Sequence, residues 1–141
     1  MRTHTEEIIL PYKIEQVYAL VADVEKYPEF IPWCVGVRVH EKAESFMIAD
    51  LLIGFKGISE SFTSKVEMLD NEINIDYIKG PFSHLENRWK FSPVEGGTKI
   101  DFLIQFEFKS KLLEMLIGGL FEIACQKMVA AFTERAKVLY S

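Results

Sequence analysis

The spacing of hydrophobic positions changes three times along the chain. Residues 2–10 alternate polar and apolar and end in Ile8-Ile9-Leu10, which predicts a strand stopped by Pro11. From Lys13 to Val24, residues Ile14, Val17, Leu20, Val21 and Val24 recur at helical spacing. Pro28 and Pro32 then follow within Glu25 to Trp33. Two prolines four apart cannot share one regular helix, so a short helical turn around Tyr27–Phe30 and a kink are expected.

Beyond Cys34 the period becomes two. Six strand-like runs follow, at about 35–42, 45–55, 58–69, 73–79, 84–92 and 98–108. Short separators such as Lys42-Ala43-Glu44, Asp70-Asn71-Glu72 and Gly80-Pro81 force neighbouring strands to be antiparallel. The last run is the clearest. Ile100, Phe102, Ile104, Phe106 and Phe108 take one face; Lys99, Asp101, Gln105 and Glu107 take the other. From Lys109 to Tyr140 the period returns to 3.6, with a stripe of Leu113, Ile117, Leu120, Ala124, Met128, Phe132, Ala136 and Leu139. One long helix is predicted, with Gly118-Gly119 marking a bend or a close approach of another backbone. The order predicts an α+β domain over residues 1–141. A curved seven-stranded antiparallel sheet grips a long C-terminal helix, and two short helices follow the first strand.

Composition supports one globular domain: 141 residues, 49% hydrophobic and 26% charged. The formal charge is −5, which argues against non-specific nucleic-acid binding and against DNA as a partner. The C-terminal segment from Lys109 is mildly basic on an acidic body. No apolar leader opens the chain, and the longest apolar stretch, Leu112 to Ala124, is too short for a span of about 20 residues. A soluble cytoplasmic protein is expected, with peripheral contact at the inner membrane as a further option.

Catalytic signals are sparse. His4, His40 and His84 are isolated, Cys34 and Cys125 form no CxxC, and no metal or catalytic site is predicted. Gly54-Phe55-Lys56-Gly57 and Glu95-Gly96-Gly97-Thr98 are turns rather than phosphate loops. Glu60 shares parity with Ile58, Phe62 and Val66, so it faces the apolar side unless a bulge near Gly57 turns it outward. Aromatic residues, 13% of the chain, fall mostly on the inward face. They describe either a filled core or the wall of an apolar pocket with Glu60 and Asn87 as its polar orienters. The run Leu112 to Phe121 is apolar on more than one helix face. Its surplus suits a pocket mouth, a dimer, a bilayer interface near Lys109 and Lys111, or core packing against Tyr27–Trp33.

Several runs recur together in one known family: Tyr27-Pro28-Glu29-Phe30-Ile31-Pro32-Trp33-Cys34, Phe62-Thr63-Ser64, Gly80-Pro81-Phe82, Arg88-Trp89-Lys90-Phe91 and Met128-Val129-Ala130-Ala131-Phe132. On these the chain resembles the coenzyme Q-binding proteins, which overlap with the ribosome association toxin RatA family in the START-like, polyketide cyclase-related superfamily. The resemblance implies a helix-grip fold with a hydrophobic tunnel for ubiquinone, bound noncovalently, and a lipid-chaperone role in respiration or quinone biosynthesis. Phe62, Tyr77, Trp89, Phe102, Phe106, Met128 and Phe132 are the expected pocket lining; Trp33, Leu116, Ile117 and Phe121 are the expected mouth. Trp33 in the first run favours the quinone-binding branch. The alternative is a RatA-type toxin, of toxin–antitoxin type, whose partner is the ribosome and which blocks subunit joining. A polyketide cyclase-like enzyme is the third reading, for which only Glu60, Tyr77 and His84 could supply an acid or base.

Overall fold

The computed structural model describes residues 1–55 and 57–141; Lys56, within one expected turn, lies outside the described residues. Seven strands form one antiparallel sheet: β1 (Arg2–Leu10), β2 (Cys34–Lys42), β3 (Phe46–Phe55), β4 (Ile58–Leu69), β5 (Glu72–Lys79), β6 (Phe82–Val94) and β7 (Gly97–Phe108). Their spatial order is β1-β7-β6-β5-β4-β3-β2. Strands β2 to β7 pair consecutively as hairpins, and β1 closes onto β7 from Arg2↔Phe106 to Leu10↔Thr98. That closure needs Gly97, since a Cβ there would run into the Leu10 carbonyl. The free edge of β2 is irregular, with register shifts between Cys34 and Gly36 and between Val39 and Glu41, which blunts it against further pairing.

Helix α1 (Ile14–Ala22) buries Val17, Leu20 and Val21. A 3-10 turn, Val24–Glu29, follows and takes Pro28 into its last residues. The tighter turn begins at Val24, earlier than the sequence suggested. It places Tyr27, Ile31 and Trp33 in the core.

The C-terminal run is two helices rather than one. Helix α2 (Lys111–Gln126) and helix α3 (Met128–Tyr140) meet at 45°. The break is at Lys127, with φ −98° and ψ 0°, and not at the glycine pair. Helix α2 rests on β1 and β7, whereas α3 packs on α1, so one straight rod could not serve both. Gly118 has a different purpose. Within a π-turn over Glu114–Gly118, the Glu114 carboxylate folds back to 2.7 Å from where a Gly118 Cβ would lie. There it accepts a 2.7 Å hydrogen bond from Arg2 Nε, while Arg2 Nη1 donates to Glu122 at 3.0 Å. The first strand is thereby tied to α2. The buried stripe runs through Ile117, Phe121, Cys125, Met128, Phe132 and Ala136; Leu139, expected to extend it, is half exposed.

Candidate functional site

Between the concave sheet face and the helices lies an inner cavity of only about 30 Å³. That is space for roughly one water molecule. Phe62, Trp89 and Met128 line it as the sequence suggested, as do Trp33 and Phe121 from the expected mouth. Tyr27, Leu51, Ile75, Leu85 and Ile104 complete the wall. Strand parity was the signal for Ile75, Leu85 and Ile104, which share faces with Tyr77, Asn87 and Phe102.

Aromatic packing accounts for the small volume. Trp89 takes Phe102 and Phe132 edge-on, each at 4.8 Å between centroids. Phe121 takes Phe106 at 4.8 Å and Trp33 at 5.4 Å. Phe102, Phe106 and Phe132 are therefore the layer behind the cavity wall, not its lining. Tyr77 is displaced further. Its hydroxyl accepts from the Phe82 backbone N–H at 3.2 Å and closes the β5–β6 turn. Ile117 is buried in the core and Leu116 is half exposed on the outer side of α2; neither borders the cavity.

One polar amide faces this space. Asn87 is buried, with its Nδ2 donating to the Leu103 carbonyl at 2.8 Å and its Oδ1 accepting from Trp89 Nε1 at 2.8 Å. An amide has two N–H donors and two lone pairs, so one of each is left over. Glu60 stands opposite Ile53 on the inward face, so no bulge turns it outward, yet it is half-buried near the strand end and does not reach the cavity. The ladder irregularity instead falls between Thr63 and Ser64, against β5.

A second space opens outside the first. An apolar groove of about 430 Å³ lies in the elbow between α2 and α3. Its walls include Phe30, Ile31, Phe55, Leu120, Ile123 and Lys127. Trp33 and Met128 border both spaces, so these two side chains form the partition between groove and cavity. The groove was not foreseen, because it depends on the break at Lys127.

Three titratable groups buried in the core are held neutral. Burial pushes the Cys34 thiol up to about 11 and moves Cys125 further in the same direction. It also raises Tyr27, whose hydroxyl donates to the Val21 carbonyl at 2.5 Å. Outside, α2 presents Leu112, Met115, Leu116 and Ile123, all at least 48% exposed. Their spacing puts them on one side of the helix. Among the described residues, no single helix is long and apolar enough to cross a membrane.

A curved antiparallel sheet closed over a C-terminal helix, with an apolar space carrying one polar amide, defines a START-like helix-grip domain. The chain belongs to the polyketide cyclase / dehydrase and lipid transport family, whose model matches residues 10–133. It is 42% identical over 139 residues to the ribosome association toxin RatA of Rickettsia prowazekii, covering 95% of this chain and 94% of that protein. It is 34% identical over 143 residues to the mitochondrial coenzyme Q-binding protein COQ10 homolog B of Xenopus laevis, covering 97% of this chain and 59% of that one. The crystal structure of the Zhui aromatase/cyclase from Streptomyces superposes with a TM-score of 0.82 over 96% of this chain and 93% of that one. At 15% identity this likeness concerns the fold alone.

Proposed function

We propose that the protein binds a polyprenyl quinone such as ubiquinone noncovalently and carries it, without catalysing a reaction. The observation that carries this reading is the apolar groove set against an aromatic cavity, with Trp33 and Met128 between them. Burying isoprenoid carbon gains roughly 25 cal/mol per Å², so a tail can be held without hydrogen bonds. The spare donor of Asn87 suits a quinone carbonyl. Because the cavity is nearly full, the head group enters only if Trp33 and Met128 turn aside. The exposed side of α2, with Lys109 and Lys111 at its start, is the face we assign to the inner membrane surface. The name of the Xenopus relative agrees with this cargo. A binding role is further supported by the state of Tyr27, a cavity-wall group that could move a proton but is fixed on a carbonyl and held neutral by burial.

The test is solvent extraction of the purified protein followed by mass spectrometry, repeated after incubation with quinone-loaded vesicles. Ubiquinone near one per chain is expected. An empty extract in both arms removes the carrier reading.

The names of the RatA relatives favour a second reading, association with the ribosome. It requires a contact compatible with an acidic body, which the basic C-terminal segment could supply. Overexpression would then shift ribosomes from joined particles to free subunits in a sedimentation profile; an unchanged profile removes it.

A further inference from the structure

The groove at the helix elbow holds a single ionisable side chain. Of its twelve lining residues, among those described, only Lys127 can carry charge. The cations of α3 and of the 3-10 turn are already engaged: Arg135 with Glu29 at 2.6 Å, Lys137 with Glu134 at 3.1 Å, and Lys26 with Glu29 at 3.6 Å. The acidic residues of α2 are also taken, since Glu114 and Glu122 are both held by Arg2 on the strand side of the helix. Among the described residues nothing pairs with the Lys127 ammonium, which stands exposed at the groove.

Helix dipoles do not cancel this charge. Helix α2 ends at Gln126 and α3 begins at Met128, so a negative end and a positive end meet at Lys127 and offset each other. The ammonium is what remains. A groove of about 430 Å³ lies within the roughly 300–1,000 Å³ of small-molecule sites. An apolar trough with one cation at its rim selects a ligand with one apolar chain and one anionic end.

We infer that the groove is a site for single-chain anionic amphiphiles, fatty acids or alkyl phosphates, with Lys127 as the counter-ion and the chain lying along Phe30, Phe55 and Leu120. This goes beyond the quinone reading, because a quinone carries no charge for Lys127 to recognise.

The experiment compares dodecanoate, dodecyl phosphate and dodecanol by titration calorimetry on the intact chain. A terminally brominated fatty acid adds a positional readout, since bromine in the groove quenches the Trp33 indole. Both anions should bind about tenfold more tightly than the alcohol, the effect of one charge-assisted contact. Lys127→Gln should abolish that preference and leave dodecanol affinity unchanged, while Lys127→Arg should retain it. Ala131→Trp, which fills the groove, should abolish binding of all three and the quenching. The inference is overturned if no probe binds, if dodecanol binds as tightly as dodecanoate, if the preference survives Lys127→Gln, or if Ala131→Trp leaves dodecanoate bound. Whether dodecyl phosphate or dodecanoate binds better tells a lipid phosphate from a free fatty acid. Ubiquinone capture by the unaltered chain, measured in parallel by extraction, separates the two proposals: anion preference without quinone capture removes the carrier reading alone, and quinone capture without anion preference overturns this inference alone.

Discussion

The inner cavity and the outer groove share Trp33 and Met128 but are built on different plans. The cavity is walled by side chains from strands whose register leaves no freedom, and aromatic edges meeting at 4.8 to 5.4 Å reduce it to about 30 Å³. The groove arises where two helices change direction, and among the described strands only the end of β3, with Gly54 and Phe55, reaches it. It is about fourteen times larger on the same measure (430 against 30 Å³). Regular pairing thus fills this fold, and the break in regularity leaves it room.

The comparison breaks most sharply at Phe121, which touches the rings of Trp33, Phe106 and Phe108 and is 1% exposed. Phe121→Ala should cost about 3–5 kcal/mol in urea unfolding and enlarge the inner cavity so that it admits small apolar molecules. Arginine at that position would bury an unpaired charge, so Phe121 cannot serve as a surface probe of a pocket mouth.

A smaller loss is expected at the polar point of the wall. Asn87→Ala leaves Trp89 Nε1 without its acceptor and takes the side-chain donor from the Leu103 carbonyl. The cost should be about 1–3 kcal/mol in the same assay, and quinone uptake should fall with it. Loss of uptake without loss of stability would assign Asn87 to the ligand alone.

Alkali sharpens the contrast, because the neutral groups are buried in the core and none of them lines the groove. Cys34 titrates near 11 in the folded chain against an ordinary 9.0, because burial opposes the thiolate. The folded state therefore holds that proton more tightly. The resulting stability is whole below pH 9.0 and is lost as pH climbs through about 11. The urea midpoint should fall between pH 9.0 and about pH 11, and Cys34→Ala should reduce the fall.

The smallest effect on folding, and a large one on partitioning, is expected outside. Met115 and Leu116 are 75% and 50% exposed. Replacing both by arginine should change stability by no more than about 0.5 kcal/mol, yet lower binding to neutral lipid vesicles in a flotation assay. Unchanged flotation would take the membrane away from this face.

Sequence patterning reached some of this and missed the rest for identifiable reasons. The alternation in Ile100 to Phe108 specified β7 and its inward face, and the proline pair foretold the turn before Trp33. Parity alone put Glu60 on the inner face. It could not show that Asn87 lies deep and Glu60 near the strand end, because depth depends on how far each strand runs beneath the helices. The glycine pair suggested the wrong hinge. Gly118 makes space for the Glu114 carboxylate, and the chain bends nine residues later at a lysine, where two packing surfaces demand two directions. Tyr77 shared the period of its strand, but its hydroxyl is used by a turn.

The pairing of β1 with β7 also bears on how the chain folds. Strand β1 must wait for a partner about a hundred residues downstream, and its Arg2 must wait longer still for Glu114 and Glu122. Such non-local closure slows folding. Until α2 and α3 have been synthesised, the concave face of the hairpins from β2 to β7 stays uncovered. Helices α2 and α3, made after all seven strands, therefore end the period of greatest aggregation risk, and a chain cut short before Lys111 should collect in the insoluble fraction.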